Sequence, residues 1–164
     1  MKLKDRLKHA LLFARSTTDS ILDELTDDAD WIRPASPNGN HALWITGHLA
    51  FVDNHFTRLL DPELTAELTG FKETYGRGST PVDELSAYPS ASELRTIMRE
   101  QRSAFLQALE NCSEEDFDKP SPEGAPEFMP NVGLIFQMVA WHEGLHTGQL
   151  TTIHRLLGHD PLRG

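Results

Sequence analysis

The sequence predicts an all-α protein: a four-helix bundle, formed as a single domain over residues 1–164, with a long loop between its second and third helices. Three observations carry this. Apolar residues recur three and four positions apart in four separate segments, the spacing that lines side chains along one helix face. Capping residues open the later segments, and Gly or Pro closes several of them. No segment alternates apolar and polar residues as a strand would, and no internal repeat is present. Helix packed on helix is the architecture that remains.

The first helix is expected from Leu3 to about Leu25, with Leu3, Leu7, Leu11, Ala14, Ile21, Leu22 and Leu25 as its stripe. Acidic residues at 27, 28 and 30, then Pro34, Pro37 and Gly39, make a connection. The second helix starts near Asn38 or Asn40, either of which can cap by accepting a backbone N–H, and runs to about Leu60. Trp44, Ile45, Val52 and Leu59 share its apolar stripe with His48 and His55. Gly47 costs about 1 kcal/mol relative to Ala inside a helix. Its presence points to a neighbour or ligand coming close beside His48. Residues 61–91 carry six Gly and Pro residues and read as an irregular connection, with at most a short helix at 63–68.

The third helix is capped at Ser90 or Ser92 and buries Leu94, Ile97, Met98, Phe105 and Leu109. A single turn at 113–116 follows, and Pro120, Pro122, Pro126 and Pro130 keep the next stretch extended. The fourth helix starts after Asn131 and continues to Leu157, where Gly158 and Pro161 supply the stop signals. Its stripe is Val132, Ile135, Val139, His142, His146, Leu150, Ile153 and Leu157.

Composition narrows the function. A chain of 164 residues with 38% hydrophobic and 24% charged residues is ordinary for a globular domain. A net charge of -10 without any Lys/Arg cluster argues against nucleic acid or an anionic membrane as partner. The one cysteine, Cys112, can form no internal disulfide, which fits a reducing cytoplasm. The five apolar residues 10–14 are too few for a signal-peptide core, and no run reaches bilayer length.

The chemistry concentrates in the fourth helix, at Trp141-His142-Glu143-Gly144-Leu145-His146-Thr147-Gly148-Gln149-Leu150. Histidines four apart share one helix face and can close on one divalent cation. The string also reads H-E-x-x-H, the zinc-protease pattern, and contains E-x-x-H, half of a di-iron set. A di-iron bundle needs a second E-x-x-H, which the first three helices lack. A metzincin would place Gly and His where Gln149 and Thr152 stand, and no Glu follows His146 to complete another protease site. What remains is His48 facing His142 and His146, three imidazoles from two helices, with positions left open for water or substrate. His55, two turns from His48, stays an alternative. His154 falls about 80° around the helix from His146 and should miss the site. His9, His41 and His159 read as surface or terminal residues.

These residues resemble the DinB/YfiT-like superfamily of bacterial four-helix bundles. The likeness rests on Trp44-Ile45-Thr46-Gly47-His48-Leu49, on the His142 to Leu150 string, and on Arg155 and Gly158, and its length and helix order extend over the chain. The resemblance implies a divalent metal held at His48, His142 and His146, with zinc or nickel first and iron or manganese second. It implies a thiol-dependent S-transferase or a hydrolase acting on a small molecule, with a low-molecular-weight thiol as co-substrate of the transfer. It also implies a homodimer. Glu143, beside a ligand, is the candidate catalytic residue, taking a proton from metal-bound water or thiol. Orienting an imidazole, or simply facing solvent, are its alternatives. Gln149 and Arg155 are expected to hold the bundle or a dimer contact, while Tyr75, Trp141 and the 61–91 connection shape the mouth. A metal-stabilised bundle that binds a ligand or protein without catalysis is the competing class.

Overall fold

The computed structural model describes residues 1–162; Arg163 and Gly164, the end of the expected domain, lie outside the described residues. These hold six α-helices rather than four: α1 (Leu3–Leu22), α2 (Asp28–Trp31), α3 (Ala42–Leu60), α4 (Phe71–Tyr75), α5 (Ala91–Asn111) and α6 (Val132–Leu156). The described residues contain no strand, only an isolated bridge between Pro120 and Asn131. No helix among them is long and apolar enough to cross a membrane.

The four long helices follow the sequence pattern closely, and the two extra ones are short. α1 stops three residues early, at a turn in which the amides of Glu24 and Leu25 donate to the carbonyls of Ile21 and Leu22; Leu25 nevertheless stays buried. In α2 the Trp31 indole is buried and donates to the Leu25 carbonyl at 3.1 Å. α3 is capped by neither expected asparagine. The Nδ1 of His41 accepts from the Trp44 amide at 3.1 Å, and the ring is fully buried rather than on the surface. Ser90 caps α5 in a reciprocal box with Glu93, and Asn131 caps α6 by accepting from the Leu134 amide at 3.0 Å. Gly158 takes the left-handed conformation after α6.

The 61–91 connection is more ordered than the sequence suggests. It contains 3₁₀ turns at Pro62–Leu64 and Leu85–Ala87, with α4 between them, in place of a helix at 63–68. α4 packs on α3 through the buried residues Phe71 and Tyr75. Among the long helices, α1 packs on α6 and α3 on α5, and α3 also meets α6.

The core has two apolar clusters. One gathers Ile21, Trp31, Leu43, Ile45, Tyr75, Met98 and Leu150; the other gathers Leu11, Phe56, Phe105, Phe117 and Phe136. On every long helix, buried polar residues fall between the two: Arg15 and Thr18, Asp53 and Asn54, Gln101 and Arg102, Glu143 and Thr147. A polar layer thus crosses the four long helices between the two clusters, and His142 and His146 of α6 lie at its level.

Candidate metal centre

Three imidazoles meet where α3 faces α6. The Nε2 of His142 lies 3.1 Å from that of His48 and 3.2 Å from that of His146. The donor atoms of all three lie within 4.8 Å of one another. Two nitrogens bound to one tetrahedral or octahedral cation at about 2.1 Å sit roughly 3.0–3.4 Å apart, so the spacing fits a shared ion.

The tautomers point the same way. The Nδ1 of His48 is 2.6 Å from the carbonyl oxygen of Tyr75, which can only accept. That nitrogen therefore carries the proton, and Nε2 presents a lone pair. The Nδ1 of His146 donates to Gln149 Oε1 at 2.9 Å, an oxygen that also accepts from Asn40 Nδ2 at 3.2 Å. Its Nε2 is likewise a lone pair aimed at the same point. The Nδ1 of His142 is buried without a partner.

Burial lowers the pKa of all three. His142 falls to about 3, through burial first and then repulsion from His146 and His48; His146 falls to about 4 by burial and then His48. His48 shifts down by burial as well. All three imidazoles are therefore uncharged at neutral pH. Trp44 stacks on the His48 ring at 4.7 Å and 11°.

Gly47 explains how Tyr75 reaches the site. A Cβ at Gly47 would stand 2.3 Å from the Tyr75 ring, so only glycine lets α4 dock there. Tyr75 ends α4, where its carbonyl has no partner inside the helix and is available to His48. The close neighbour expected beside His48 is this tyrosine, buried rather than at a mouth. Trp141, by contrast, is 59% exposed.

Glu143 is fully buried rather than facing solvent, and both its carboxylate oxygens are taken by arginines. Arg15 Nε donates to its Oε1 at 2.6 Å and Arg102 Nη2 to its Oε2 at 2.5 Å. Arg102 also grips Asp53 with Nε at 2.9 Å and Nη2 at 3.0 Å, and Arg15 Nη2 reaches Asp53 at 3.1 Å. Burial weakens the charge on Arg15, but Asp53 and Glu143 beside it raise its pKa overall. Two guanidiniums and two carboxylates, one from each long helix, form a closed set. Sequence reading missed Arg15, Asp53 and Arg102. Their signal is register: Leu11–Arg15–Thr18 and Met98–Arg102–Phe105 put a charge in step with the apolar stripe.

The other histidines stand apart from the cluster. His55 is exposed, and its ring lies beside Phe51 and Phe56. His154 is buried beside Glu24, with His159 stacked on it, and His9 is exposed. Gln149 orients His146, a contact the sequence reading did not foresee.

An all-helical chain with a buried three-histidine cluster that could hold a divalent cation is thus defined by its geometry. It belongs to the DinB superfamily, whose family model matches residues 10–150. No curated protein matches the chain.

Proposed function

We propose that the chain is a metal-dependent enzyme acting on a small molecule, with His48, His142 and His146 holding one divalent cation. Three imidazole nitrogens suit zinc or nickel first, and iron or manganese next. One observation carries the reading: the Nε2 atoms converge while Tyr75 and Gln149 hold the far nitrogens of His48 and His146 as donors. A bound cation supplies Lewis acidity, lowering the pKa of a thiol or water. The reaction proposed is S-transfer from a low-molecular-weight thiol, or hydrolysis.

The chain's own residues position and shield. Tyr75 and Gln149 fix two ring orientations, and Trp44 covers one face of His48. To accept a proton, Glu143 would have to leave two guanidiniums, so its proposed role is to hold α6 in place. The four long helices act as a four-helix bundle in this reading. Exposed Leu12 and Phe13 on α1, and Trp141 and Leu145 on α6, support a homodimer. The lone cysteine supports a cytoplasmic location, and the acidic surface supports neither nucleic acid nor membrane as partner.

The test is a screen of protein loaded with zinc, nickel or manganese against a panel of thiols with electrophiles, and against hydrolysable esters. Turnover should require metal and vanish in His48→Ala. Silence throughout, with metal only raising the melting temperature, would favour the non-catalytic binding bundle. The near-complete burial of His48 and His146 suits that second reading.

A further inference from the structure

A second group of donors lies at the far end of α1 and α6, outside the three-histidine cluster. His154 projects from the last turn of α6, and Gly158 turns the chain back so that the His159 amide donates to the His154 carbonyl at 3.3 Å. The two imidazoles then stack at 4.5 Å and 10°. Their nitrogens meet one oxygen of Glu24, in the turn after α1: His154 Nε2 at 2.8 Å and His159 Nδ1 at 3.3 Å. The donor atoms of these three residues lie within 4.8 Å of one another.

We propose that Glu24, His154 and His159 form a second divalent-cation site that clamps the end of α1 to the end of α6. Two imidazole nitrogens and one carboxylate oxygen make a borderline donor set that suits zinc(II). His154 is buried, whereas Glu24 is half-exposed, so one side of the site stays open to water ligands. The helix end favours the charge, since the last carbonyls of α6 present the negative pole of its dipole. Arg155 donates to the His159 carbonyl at 2.5 Å and holds the tail over the site. The site is independent of the proposed catalytic cation and uses none of its ligands.

The experiment is zinc titration against a competing chromophoric chelator, with metal content per chain measured after gel filtration. Wild type should take up two equivalents. His159→Ala and Glu24→Gln, both altering partly exposed side chains beyond the helix ends, should each lose one equivalent and keep the other. His48→Ala should lose only the core equivalent, and His48→Ala combined with Glu24→Gln should bind none. Retention of both equivalents in His159→Ala and Glu24→Gln would overturn the second site. So would a wild type binding a single zinc that His48→Ala abolishes, an outcome that leaves the core site standing.

Discussion

Replacing Glu143 by alanine should destabilise the protein severely, and the size of the effect follows from the charges left behind. Wild type buries two guanidiniums against two carboxylates. The variant would leave Arg15 and Arg102 sharing Asp53 alone, an excess of one buried positive charge. Removing one partner of a buried pair costs about 3–5 kcal/mol, against a total stability of about 5–15 kcal/mol for a domain. At roughly 2–4 °C per kcal/mol for a chain of this size, the melting temperature should drop by about 6–20 °C. Glu143→Gln keeps the shape and one acceptor but leaves the same unmatched positive charge, so it should cost about 3 kcal/mol, the low end of that range. Urea unfolding followed by circular dichroism, in chelator and then in zinc, measures both. Adding Arg15→Met to Glu143→Ala restores neutrality, so the pair should lose less than the sum of its parts. A Glu143→Gln protein as stable as wild type, binding metal normally but without turnover, would refute the positioning role and restore Glu143 as proton acceptor.

Other outcomes can be checked alongside. Gly47→Ala drives a methyl group into the Tyr75 ring, so it should destabilise by about 1–3 kcal/mol and weaken zinc binding; unchanged zinc affinity would separate α4 from the site. Gln149→Ala frees His146 and should weaken metal affinity about 10–100-fold, and an unaltered isotherm would remove Gln149 from the site's support. Metal-free protein should lose stability as pH falls below the unfolded histidine value of 6.5, because the unfolded chain then binds protons that the folded His142 and His146 refuse until about 3 and about 4. The slope is about 1.4 kcal/mol per pH unit per histidine, full stability returns above pH 6.5, and a flat urea-midpoint profile from pH 7 to 5 would contradict the burial of these rings.

Much of this was legible in the sequence, for physical reasons that differ by element. α6 carries every local signal at once: an asparagine cap, an unbroken stripe and a glycine stop. The meeting of His48 with His142 and His146 was legible because helical spacing puts each in an inward stripe, although the same stripe also held His55, which is exposed. Three features were not. α4 is five residues long and exists only by docking on Gly47, so its own sequence gives it no nucleus. His41 caps α3 through a ring nitrogen, outside the usual set of cap residues. Arg15, Asp53 and Arg102 went unnoticed because each helix reveals only its own member; their partners lie 38 to 128 positions away.

The belt of charge also limits how the helices can slide. Long helices with leucine-rich faces have several alternative alignments of similar apolar contact, each displaced by about 5.4 Å, one helical turn. Moving α6 by that step would strand Glu143 among hydrocarbon side chains and leave two guanidiniums without it, a loss no alternative leucine contact could offset. Only one vertical alignment satisfies all four charges, and the same alignment brings His142 and His146 level with His48.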